Sequence, residues 1–253
     1  MVQRFYQKRF FGNKIKVEKF SKKEAISFGW QIMKENFWFF VLLLILAGII
    51  QFGPDIIQGL LKIEVNLIQE LLKKLTLAGI IRADLDFIGE LLKGMILSLV
   101  LIINLIGFVL SVIVRLGLIK ISLNFCDNLK SKISDLFSQY RLFFRYLFAS
   151  ILYGLICLLG VIFFIIPGIY FGIRFGFFDY FIVDKNSKII ESLKRSWQIS
   201  EGNVWNLFLF YLLLFGINLL GVICLLIGLF ATISTTMIAK AFVFRKLSSQ
   251  LKV

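Results

Sequence analysis

The chain contains no histidine, 2 prolines and 3 cysteines among 253 residues. Without histidine the commonest general base and metal ligand are missing, and with them every Ser-His-Asp or Cys-His arrangement for nucleophilic catalysis. The cysteines, Cys126, Cys157 and Cys224, stand far apart and two lie inside apolar runs. Neither a disulfide framework nor a zinc-ligand spacing can be built from them, and packing is their expected role. Acid is scarce too, with 15 Asp and Glu against 29 Lys and Arg. No paired carboxylates and no metal-ligand cluster occur, so no enzymatic activity, metal or cofactor is expected.

What the chain has in excess is apolar surface: 59% of residues are hydrophobic and the mean hydropathy is +0.88. A soluble domain uses about 45 to 50% apolar residues. The expected fold class is therefore all-α, a polytopic membrane helical bundle. A nucleic-acid binder shows its basic face beside a modest core, whereas here the charges lie between apolar blocks, and no nucleic-acid partner is expected.

The stretch from Tyr146 to Gly202 organises the rest. Tyr146 to Ile173 is a run of 28 uncharged residues interrupted by Pro167-Gly168. As one helix it would be roughly 42 Å long, against a hydrocarbon core of about 30 Å. A hairpin with its tip at Ile165 to Gly168 is predicted, descending through Tyr170 and Phe171 to a charged segment, Arg174 to Asp184. Asn203 to Ala239 is similarly a run of 37 uncharged residues, roughly 55 Å as one helix, and is expected to fold back at Gly228. The echo of Leu158-Leu159-Gly160-Val161-Ile162 in Leu219-Leu220-Gly221-Val222-Ile223 is compatible with paired hairpins or with chance in an Ile/Leu-rich chain.

Taken in order, residues 1–20 form a basic aromatic tail, either a free positive segment or an interfacial anchor. No secretory signal fits, since the first apolar run begins only at Phe37. Ser21-Lys22-Lys23-Glu24 reads as a capping box, opening a helix with Ala25, Phe28, Ile32 and Met33 on one side and expected to lie along the membrane surface. The remainder, 21–253, is a single membrane domain with spans at approximately 37–52, 94–114, 146–165, 168–184, 204–226 and 229–246. The first is expected to stop at Gly53-Pro54, and the amphipathic run from Ile57 to Leu75 to be a separate interfacial helix, too charged to span. A second turn of that kind is expected at Asp84 to Glu90. Ser134-Asp135-Leu136-Phe137 reads as a new helix start. Ile189, Ile190, Leu193 and Trp197 form the stripe of another surface-lying helix, with Trp197 at headgroup level.

Loop charge orients this six-span reading. All but five of the 29 basic residues fall at the N-terminus, between the second and third spans, between Arg174 and Arg195, or at the C-terminus. The exceptions, Lys62, Lys73, Lys74, Arg82 and Lys93, share one long loop with more acids than bases. The positive-inside rule then places both termini in the cytoplasm, and anionic lipids at that face are expected partners.

From Gly117 onward, Asp135-Leu136-Phe137, Ile166-Pro167-Gly168, Asp184, Glu191-Ser192-Leu193, Ser196 and Gly202 follow one another in an order that resembles an uncharacterised family of bacterial six-helix integral membrane proteins. The chain is also similar to the membrane domain fused to some glycerophosphodiester phosphodiesterases. The likeness covers roughly residues 20 to 247. It departs where Ser234-Thr235-Thr236 replaces a Pro-Tyr pair common before the final helix, and the phosphodiesterase catalytic domain is absent. The resemblance implies a bacterial cytoplasmic-membrane protein with a non-catalytic role.

Polar residues inside spans are functional candidates by default. Here they are Asn104, Arg174, Asp179, Asn218 and Lys240, with Pro167 and Gly168 at the hairpin tip. Lys240 is expected to snorkel, and Asn104 and Asn218 to bond across packed helices. Arg174 and Asp179 either lie within the bundle, seeking partners or water, or sit solvated among cytoplasmic headgroups. Two functions follow: a non-catalytic module that binds lipid or a membrane protein partner through a basic cytoplasmic face near Ser21 and Ser187, or a permease or channel-like protein using Arg174 and Asp179.

Overall fold

A computed structural model describes residues 20–77 and 85–251. The basic tail before Phe20, Lys252, and the stretch holding Arg82 and Asp84 lie outside the described residues. Every regular element among the described residues is helical. In chain order they are α1 (Lys22–Glu35), α2 (Phe37–Leu77), α3 (Leu85–Cys126), two 3-10 turns (Ile133–Phe137 and Tyr140–Leu142), α4 (Phe143–Phe163), α5 (Ile165–Arg174), α6 (Phe178–Lys185), α7 (Ile189–Ser200), α8 (Val204–Ile223) and α9 (Leu225–Ser248). Among the described residues, five stretches are long and apolar enough to cross a membrane: Phe37–Leu71, Gly94–Cys126, Ile133–Phe163, Ile165–Lys185 and Val204–Ile223. That is compatible with an integral membrane protein. The sixth expected span, 229–246, lies within α9, which is not among these five stretches of the described residues.

The chain divides into two compact units, Met1–Val41 with Leu116–Val253, and Leu42–Arg115. In the larger unit, Ser21 caps α1 by accepting a bond of 3.3 Å from the Glu24 amide, as the Ser-x-x-Glu spacing predicts. Its buried side, Ala25, Gly29 and Met33, lies along α9: a Cβ on Gly29 would overlap the Thr235 carbonyl oxygen, Phe28 and Phe242 have ring centroids 4.9 Å apart, and Glu24 pairs with Lys246 at 2.7 Å. Glycine at position 29 lets the two helix backbones approach closely.

The predicted hairpin tip shifts by one residue. Phe164 is extended (φ −166°, ψ 150°) and separates α4 from α5. Pro167 then falls in the first turn of α5, where its missing N–H costs no helical bond. The chain doubles back there, with Gly168 against Gly160 and Val161, Gly172 near the Tyr153 hydroxyl, and Phe178 stacked on Tyr146 at 5.9 Å. The expected span 168–184 is two helices, since α5 ends at Arg174 and α6 starts at Phe178. The last reversal falls at Cys224 rather than Gly228; Gly228 sits in α9, against the Gly221 backbone. Only a 3-10 turn forms at Ile133–Phe137, held by Asp135 accepting the Lys132 amide at 2.8 Å.

In the unit Leu42–Arg115, helix α2 does not stop at Gly53-Pro54. Pro54 lies inside it, and the amphipathic run to Leu75 belongs to the same helix. Gly107 of α3 takes the Pro54 ring against its bare Cα, where a Cβ would overlap Pro54 Cγ. A neighbouring helix that fits a proline ring can offset the lost backbone bond. The second expected span, 94–114, is likewise part of a longer helix that continues through Arg115 to Cys126.

Candidate functional site

The break between α5 and α6 is the most polar place buried in the larger unit. At the end of a helix the last carbonyls lack partners, and here serines of α7 supply them. The Arg174 carbonyl accepts from the Ser196 hydroxyl at 3.0 Å and the Ser200 hydroxyl at 3.1 Å. Ser196 Oγ in turn accepts from the Phe177 amide at 3.0 Å. The buried face of α7 is thus Ser192, Leu193, Ser196, Ile199 and Ser200, not the stripe expected from its apolar residues, and Ile190 is 74% exposed. A row of serines at i, i+4 and i+8 was a legible signal; apolarity pointed elsewhere because it does not register donors needed by a broken helix.

Arg174 is 6% exposed and its guanidinium is held on three sides. Its Cζ stands 3.8 Å from the Trp197 ring centroid and 5.5 Å from that of Tyr170, and Nη1 donates to the Trp197 carbonyl at 3.2 Å. Trp197 therefore serves α5, covered by Phe171 and Phe175. Arginine suits this place because its flat, weakly hydrated head stacks on indole.

Asp179, 3% exposed, opens α6 and accepts the Tyr180 amide at 3.0 Å. Lys240 of α9 closes the group: its Nζ lies 5.2 Å from the Tyr180 ring and 5.9 Å from those of Phe177 and Tyr211. Among the described residues it has no carboxylate within ion-pair distance. It is half-buried in an aromatic nest. Arg174 and Asp179, five residues apart, face different partners, and neither is a solvated headgroup residue.

The two asparagines link helices. In the unit Leu42–Arg115, Gln58 donates to Asn104 at 3.0 Å, while Asn104 donates to the Val100 carbonyl at 2.8 Å. In the larger unit Asn218 donates to Thr236 at 3.4 Å across α8 and α9. Sequence reasoning missed an ion cluster: Arg245 bonds Asp127 at 2.6 Å and Asp184 at 2.7 Å, joining residues more than fifty positions apart, for which no local pattern exists.

A cleft of about 700 Å³ lies between the start of α1 and α8, lined by Phe20, Lys22, Lys23, Ile26, Trp30 and Leu213 among others. Among the described residues no group of three cysteines, aspartates or glutamates could hold a metal. Comparison of the chain with protein-family models, curated proteins and solved structures found no match.

Proposed function

We propose that this is a multi-pass protein of the bacterial cytoplasmic membrane, with six crossings arranged as hairpins and both termini cytoplasmic. It acts as a non-catalytic module that engages anionic lipid or a membrane protein partner through its basic cytoplasmic face. The observation that carries the non-catalytic role is the immobilisation of its buried charges. Arg174 is stacked and bonded, Asp179 is turned onto an amide and Lys240 is nested in aromatic rings. Groups that relay ions or protons alternate between partners, whereas each of these is held by packing. The orientation draws support from Arg245, which gathers Asp127 and Asp184, all on segments that loop charge assigns to one side.

Two measurements test the reading. In a cysteine-free background, single cysteines at Lys132 and Lys188 should resist a membrane-impermeant thiol reagent in intact cells while one at Lys74 reacts; labelling at Lys188 would overturn the topology. Asp179→Asn should leave solute and ion flux in proteoliposomes unchanged. A permease is the second reading, favoured by the ammonium of Lys240 standing without a carboxylate among the described residues. Loss of a flux, or of its pH dependence, in Asp179→Asn would establish that reading instead.

A further inference from the structure

We propose that the cleft at the start of α1 binds one anionic phospholipid, its phosphate against Lys22 and Lys23 and its chains along Ile26, Trp30 and Leu213. The inference rests on the reading that this end of α1 meets the cytoplasmic membrane surface, and it names the ligand that the basic face selects.

The chemistry of the cleft is graded. Lys22 and Lys23 stand at its start, Ile26 one turn along α1 and Trp30 two turns along, so at about 1.5 Å per residue the lining passes from cationic to apolar within roughly 11 Å. A phospholipid makes the same passage from phosphate to upper acyl chain. A soluble anion would leave Ile26, Trp30 and Leu213 uncovered, and a neutral lipid would leave the lysines unanswered. Trp30 is 44% exposed and Leu213 42%, so the apolar wall is open to a chain. The volume of about 700 Å³ lies within the usual range for a small-molecule site, about 300–1,000 Å³.

The lysines are available. Glu24, the acid beside them, is engaged by Lys246 at 2.7 Å, and among the described residues neither Lys22 nor Lys23 has a carboxylate within ion-pair distance. The floor is fixed as well. Phe20 is 3% exposed, stands edge-on to Phe210 at 5.5 Å, and its carbonyl accepts from the Asn206 amide group at 3.0 Å. A site held open by packing loses less freedom on binding.

The test uses full-length protein reconstituted in phosphatidylcholine vesicles doped with brominated phosphatidylglycerol or, separately, brominated phosphatidylcholine. Quenching at Trp30 is the difference between the protein and its Trp30→Phe variant, which leaves Trp197 on Arg174. Half-quenching should need about tenfold less of the anionic lipid. The double variant Lys22→Gln, Lys23→Gln should lose that preference, while Lys185→Gln, Lys188→Gln keeps it. Equal quenching by both lipids would overturn the site and leave membrane insertion standing. Quenching by neither would overturn both. A preference that survives loss of the two lysines, or that inorganic phosphate abolishes, would also overturn the lipid site.

Discussion

Residues 42–115 and the rest of the described chain draw on nearly the same apolar alphabet and bury it differently. In the unit Leu42–Arg115, many large side chains point outward: Phe52, Ile56, Leu60, Leu97 and Leu105 are each more than half exposed, and contacts that join its two helices include a proline ring on a glycine and an amide pair. In the larger unit Phe40, Phe177, Phe181, Phe210 and Phe244 are fully buried, beside Ser192, Ser196, Ser200, Asn203, Arg174 and Asp179. Lipid explains why both can be stable. An apolar side chain gains little by leaving hydrocarbon for a protein interior, so helices there are joined by small residues, by packing and by polar groups that need partners.

The sharpest break of the comparison is at glycine. A Cβ on Gly117 would overlap the Leu136 backbone, which cannot rotate away, so Gly117→Ala should cost about 3 kcal/mol or more. Its counterpart Gly48→Ala has nothing within 4 Å and should be neutral or stabilising by less than about 1 kcal/mol. Thermal unfolding followed by size-exclusion in detergent would separate them; equal losses would mean that the two units pack alike.

Next in size is Arg245→Ala, which leaves Asp184, whose side chain is 11% exposed, with only the longer pair to Lys185 at 3.3 Å, and should cost about 2–3 kcal/mol. In the other unit Glu70→Ala removes a pair whose partners are 62% and 69% exposed, and unfolding in mixed micelles should show a change below about 0.5 kcal/mol. Ser196→Ala removes the acceptor of the Phe177 amide and should cost about 1–2 kcal/mol, with faster hydrogen exchange confined to Phe177 and its neighbours; global loosening would show that the serine holds more than the helix break. A small effect is also expected from Asn104→Leu, about 0.6 kcal/mol, an average value for an interhelical bond in a membrane. A loss as large as that of Arg245→Ala would show that Gln58 and Asn104 hold their unit together as charges hold the other.

Much of this was legible in the sequence because the relevant forces are local. Apolar run length against a bilayer of about 30 Å sets the class and the approximate place of the long helices. The Ser21 cap and the fold-back before Pro167 follow from backbone chemistry within four residues. Loop charge supplies an orientation to test. Three-dimensional contact decided the rest. Pro54 stays helical because Gly107 receives its ring, α1 joins α9 because Gly29 admits Thr235, and α7 turns its serines inward because the α5–α6 break needs donors and an acceptor. Each of these outcomes depends on a partner 19 to 206 positions away. Residue order specifies what a side chain can offer, while the fold decides which neighbour takes it.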